Sequence, residues 1–166
     1  MRIQAIFPVL LIISAFACKK PVDSTYESAF NEPVIFSTSL DDTISSETLT
    51  MLKLNRVNGI KVKYRSGQYA SYFEYEADHH FLIRTIGSLP FPMSAVQSDT
   101  TCHPLPIRYL ETVRNTLSET EISGSAFWSV NPEEYTAYEC LKAPFKHTIL
   151  LSRSTKKVLH RIEFVG

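Results

Sequence analysis

Between Met51 and Asp78 the chain reads MLKLNRVNGIKVKYRSGQYASYFEYEAD, and this stretch limits the possible folds more than any other. Ile60, Val62 and Tyr64 alternate with Lys61, Lys63 and Arg65, the period of two that marks a strand with one buried side. Asn58-Gly59 suggests a hairpin turn. A two-residue loop there sets Asn55 opposite Val62 and Lys53 opposite Tyr64, mixing polar and apolar residues on one face. A three-residue loop, Val57-Asn58-Gly59, pairs Leu54 with Val62 and Leu52 with Tyr64, with Gly59 as the left-handed residue of a bulge. At the next turn a two-residue Ser66-Gly67 loop pairs Tyr64 with Tyr69, Val62 with Ser71 and Ile60 with Phe73. The expectation is a three-stranded meander. One side holds Leu52, Leu54, Ile60, Val62, Tyr64, Tyr69, Phe73 and Tyr75. The other side is charged and wet: Lys53, Lys61, Lys63, Arg65, Glu74 and Glu76.

The apolar side needs cover, and helices can supply it. Asp78 is a good N-cap, and Phe81, Leu82, Thr85, Ile86 and Leu89 follow at helical spacing until Gly87 and Pro90 stop the run. After Pro106, Ile107, Leu110, Val113 and Leu117 recur every three or four residues. Between them PFPMSAVQSDTTCHPLP reads as a proline-punctuated loop. Strands return at Phe127-Trp128, Tyr135 to Leu141, His147 to Ser152 and Val158 to Val165. Strands, then helices, then strands predict an α+β domain: an antiparallel meander, one face covered by two short helices, with C-terminal strands completing the sheet.

The N-terminus is of another kind. Arg2 is the one charge before Lys19, and Ile3 to Ala17 is almost wholly apolar. As a helix those residues span about 22 Å, short of the roughly 30 Å hydrocarbon core of a bilayer. A basic start, a short apolar run and small residues at its end describe a secretory signal peptide. Ala15-Phe16-Ala17 is a small-x-small site for ordinary signal peptidase, and Ala15-Phe16-Ala17-Cys18 also resembles the lipobox of bacterial lipoproteins, the reading favoured here. The resemblance implies cleavage before Cys18, acylation of that cysteine, and anchoring by several acyl chains, which hold where one binds only marginally. In that family an aspartate after the cysteine retains the protein at the inner membrane. Lys19 stands there instead, which implies an outer-membrane location facing the periplasm or the surface.

Three cysteines are present, Cys18, Cys102 and Cys140, and an odd number in an exported chain needs a reason. Lipidation of Cys18 leaves Cys102 and Cys140 as a pair for a disulfide in an oxidising compartment. The expected organisation is signal peptide 1–17, lipidated N-terminus and flexible tether 18–33, and one globular domain 34–166. A flexible chain of 15 residues reaches about 20 Å.

Lysine plus arginine and aspartate plus glutamate both number 17, which argues against a nucleic-acid partner. The charges lie in blocks: six acids and no base from Pro21 to Thr48, then five bases and no acid from Leu49 to Phe73. Glu74, Glu76, Asp78, His79 and His80 crowd together, but adjacent histidines diverge on a helix or a strand, and the glutamates fall on the wet face. No metal site is expected there. His103 beside Cys102 resembles a nucleophilic pair, yet Cys102 is better used by Cys140. There is no nucleophile elbow or phosphate-cradling loop, so no catalytic residue and no cofactor is assigned. The expected role is a non-enzymatic interaction or structural module with an envelope partner. The alternative is a glycan or small-ligand binder with an aromatic-lined cleft, for which an exposed Trp128 is the sign to look for.

Overall fold

The computed structural model describes residues 32–88, 102–142 and 144–164; the expected signal peptide, Cys18 and most of the expected tether lie outside the described residues, as do Leu89, Pro90 and the rest of the expected loop up to Thr101. The fold is α+β. Seven antiparallel strands form one open sheet in the order β1-β2-β3-β7-β6-β5-β4. They are β1 (Val34–Ser39), β2 (Asn58–Lys63), β3 (Tyr69–Glu76), β4 (Cys102–Leu105), β5 (Tyr135–Lys142), β6 (Phe145–Ser152) and β7 (Lys157–Phe164). Two runs of sequential neighbours, β1-β2-β3 and β4-β5-β6-β7, are joined by the pairing of β3 with β7. The C-terminal strands thus complete the sheet, as expected.

Helices α1 (Ser46–Met51) and α2 (His79–Ser88) lie on one face. Leu49, Leu52, Leu82 and Ile86 pack there with Phe73, Tyr75, Ile149, Val158 and Ile162. Asp78 caps α2 as expected, its Oδ1 accepting from the Phe81 N–H at 2.8 Å. The opposite face is not wholly wet. Helices α3 (Ile107–Arg114) and α4 (Glu119–Gly124) and the 3-10 turn Ala126–Trp128 cover it, packing Leu110, Ile122, Phe127 and Trp128 on Val62, Tyr72, Leu150 and Leu159. Phe127-Trp128, expected as a strand, is this turn. Cys102, expected in a loop, opens β4.

Two further differences have clear physical reasons. Met51 to Leu54, read as the first strand of the meander, is the end of α1. Lys53 sits at φ 55°, its N–H donates to the Thr50 carbonyl at 3.0 Å, and the Leu54 N–H reaches the Leu49 carbonyl at 2.9 Å. These two bonds close a helix C-terminus by the Schellman pattern, with lysine where glycine usually signals it. The strand beside β2 is β1 instead, pairing Ile35 with Val62 and Ser37 with Ile60.

The second difference is register. The turn after β2 has three residues, Arg65-Ser66-Gly67, closed by the Tyr64 N–H on the Gln68 carbonyl at 2.9 Å, with Gly67 at φ 89°. The left-handed glycine expected at Gly59 therefore occurs at Gly67. Val62 faces Ala70 and Ile60 faces Tyr72, one residue away from the expected pairing, and a shift of one exchanges faces. Phe73 and Tyr75 consequently lie under α1 and α2, while Val62 and Ile60 lie under α3 and α4. Gly59 lies inside β2, where a Cβ would stand 2.3 Å from the Tyr72 carbonyl oxygen and 2.4 Å from the Phe73 ring. It is a point of close approach.

Candidate functional site

The residues grouped by sequence do not converge. Glu74 and Glu76 are exposed on β3, and Glu74 holds Lys157 at 2.8 Å, a hydrogen bond that raises the lysine's pKa. Asp78 is used as a cap. His79 and His80 open α2, half-buried and exposed respectively. Among the described residues no group of three or more histidine, cysteine, aspartate or glutamate side chains is placed to hold a metal ion.

Cys102 and Cys140 face each other across β4 and β5, 4.2 Å apart at Cα, and are disulfide-bonded. His103 is paired with Glu139 in the ladder and therefore points to the other face from Cys102. Trp128 is buried, only 6% exposed, and spends its indole N–H on the Tyr72 hydroxyl at 3.0 Å. It presents no platform to a sugar.

Two polar clusters that sequence reasoning missed lie inside the domain. The first is centred on Glu121, fully buried in α4. Ser118 caps that helix and accepts from the Glu121 N–H at 3.2 Å, which aims the carboxylate at the sheet. Tyr64 donates to Oε2 and Tyr72 donates to Oε1. The Tyr72 oxygen in turn accepts from Arg161 Nε at 2.8 Å. The Arg161 guanidinium lies 3.6 Å from Glu121 and pairs with Glu163, which also holds Lys146 at 2.8 Å. Burial alone would lower the pKa of Arg161, but Tyr72, Glu163 and Glu121 around it raise it. Burial, and then the Glu121 charge, push the Tyr72 hydroxyl far above its ordinary range even against the pull of Arg161. Arg161 therefore stays charged and Tyr72 stays a neutral donor.

The second cluster is on the opposite face. His147 Nδ1 and His160 Nε2 are 2.9 Å apart, and His160 Nδ1 is 2.9 Å from the Tyr75 hydroxyl. Both histidines are fully buried. Burial, then the neighbouring His147, holds the His160 pKa well below its usual value, so this group is neutral at pH 7.

A cleft of about 920 Å³ opens beside the Glu121 network, lined among others by Tyr64, Gln68, Ser118, Glu121, Arg161 and Glu163. Its charges are already matched to one another. The hydroxyls of Tyr64 and Tyr72 are tied to Glu121, and burial first, then that carboxylate, raises the Tyr64 pKa.

What the surface offers instead is one end of the sheet. Val34 and Phe36 on edge strand β1 are 55% and 50% exposed. Val34 is paired with Lys63 and Phe36 with Lys61, and Lys63 with Tyr69. The Lys61 amine sits 4.0 Å from the Tyr69 ring centroid, and Tyr69 stacks on Phe164 at 5.4 Å. Phe145 meets the edge of Phe164 at 6.0 Å. Alternation could have revealed this row, because Val34 and Phe36, two apart on β1, fall on one face with Lys61 and Lys63, two apart on β2, once their register is known.

Compared with protein-family models, with curated proteins and with solved structures, the chain matches none.

Proposed function

We propose that this protein is a lipid-anchored, non-enzymatic interaction module of the bacterial cell envelope, fixed through Cys18 to the outer membrane. The observation that carries this reading is the Cys102–Cys140 bond. It uses two of the three cysteines, suits an oxidising compartment and leaves Cys18 as the odd one, beside small residues after an apolar run. Among the described residues no helix is long and apolar enough to cross a membrane; the proposed attachment is by acyl chains on Cys18. The non-enzymatic part rests on the two buried clusters, whose groups are spent on one another, while the exposed sheet end collects apolar side chains and lysines.

The Cys18→Ser variant should move from the membrane pellet to the soluble fraction, and mass spectrometry of the native protein should find acyl chains on Cys18. Unchanged fractionation, or an unmodified full-length N-terminus, would overturn the anchor. A second reading, binding of a small polar ligand, rests on the cleft beside Glu121 and Arg161. Titration calorimetry with a panel of disaccharides tests it: heats lost in Tyr64→Phe favour it, and flat titrations reject it.

A further inference from the structure

We infer that the lysine and aromatic row at the end of the sheet is a membrane-contacting face that lies on anionic phospholipid. This inference rests on the lipid-anchor reading above and adds which way the domain lies. The row runs over five strands, from Val34 through Lys63, Tyr69 and Phe164 to Phe145. At about 4.8 Å between strands it is roughly 19 Å wide. Phe36 and Lys61 extend it by a second step along β1 and β2.

Three observations favour a lipid surface as the occupant. The first is where the chain enters. The proposed anchor at Cys18 is followed by a tether that runs directly into β1, and β1 begins at Val34, in the row itself. A flexible chain of that length reaches about 20 Å, which would keep this end of the sheet within contact distance of the headgroups. The second is charge. Among the described residues neither Lys61 nor Lys63 forms an ion pair. Glu32, the acid nearest the start of β1, accepts from Thr120 of α4 on the opposite face at 2.6 Å. The row is thus basic, and juxtamembrane lysines are drawn to anionic headgroups. The third is side-chain type. Exposed Val34, Phe36 and Phe164 beside a tyrosine and long lysine stems are what an interface between acyl chains and water accommodates, rings at headgroup depth and amines reaching outward. A second copy docking face to face would set lysines against lysines.

The test uses the full, lipidated protein reconstituted in phosphatidylcholine vesicles with and without one third phosphatidylglycerol, with hydrogen exchange read by mass spectrometry. Peptides covering 34–36, 61–69 and 160–164 should gain protection on the anionic vesicles, and peptides of α3 should not. High salt should remove the gain. Lys61→Gln with Lys63→Gln keeps both stems and should also remove it. In flotation of the Cys18→Ser chain, where the anchor no longer masks the effect, each lysine lost should lower partitioning about fivefold. Equal exchange on both vesicle types, with the wild-type protein still floating, overturns the face and leaves the anchor standing. A wild-type protein that does not float overturns the anchor first. Protection that appears in detergent and grows with protein concentration assigns the row to a second copy and also overturns the inference.

Discussion

Under α1 and α2 the core takes in a hydrogen-bonded histidine pair, whereas under α3 and α4 it takes in a glutamate and an arginine. His147 and His160 enter the first face as a hydrogen-bonded pair with Tyr75, and His160 is held neutral by burial. Glu121 and Arg161 enter the second face charged, separated and bridged by Tyr72. Burying an unpaired charge is far more unfavourable than burying a paired or neutral group. The two faces therefore differ in what breaks them: the first is sensitive to acid and to loss of its disulfide, the second to loss of one member of its network.

The largest expected effect is at Arg161. Arg161→Met strands Glu121 in the interior and should lower unfolding free energy in urea by about 3–5 kcal/mol. Adding Glu121→Gln should restore part of that loss, since the amide oxygen still accepts from a tyrosine. Equal and additive losses would show that the two residues are not coupled. Next is the disulfide on the first face. Closing a loop with a sequence separation of 38 is worth about 4 kcal/mol in the chain-entropy account. Cys102→Ser with Cys140→Ser should lose about that amount in equilibrium denaturation, and the Arg161→Met loss should add to it unchanged if the faces are independent.

Gly59→Ala comes third. Its Cβ would stand 2.3 Å from backbone that both faces share, and overpacking of this kind removes about 1–3 kcal/mol. A thermal melt that does not move would mean β2 can shift without penalty.

The smallest effect is pH. The folded His160 pKa lies below its unfolded value of about 6.5, so its contribution is complete above that pH and is lost as pH falls below it. The unfolded chain then binds a proton that the folded chain refuses, a slope of about 1.4 kcal/mol per pH unit. His147 and Tyr75 are the titratable groups bonded to it. Denaturation series at stepped pH should show this slope in the wild type and a flatter one in His160→Leu, while Arg161→Met should keep it.

Much of the fold was legible where one period or one cap decided it. Asp78 announced α2, Pro106 preceded α3, and Val158, His160, Ile162 and Phe164 marked one side of β7. Local turn chemistry misled. A lysine at a left-handed helix end hid the end of α1, and the turn ending at Gly67 holds three residues rather than two, which moved the register by one and exchanged the faces of Phe73 and Tyr75. The buried network was illegible for a different reason. Arg161 and Glu163 alternate with apolar neighbours as solvent-facing residues do, and only the seating of α4 brings Glu121 over them. Charge pattern alone does not reveal which wet-looking face a helix will cover.

The seam between β3 and β7 carries one more implication, for how the chain assembles. Short returns join β2 to β3, β5 to β6 and β6 to β7, but Ala70 must find Glu163, partners separated by most of the domain. Closure over such a distance is entropically late, and non-local pairing slows folding. Refolding should therefore be limited by zipping the two halves together, with the β2-β3 and β5-β6-β7 hairpins already formed.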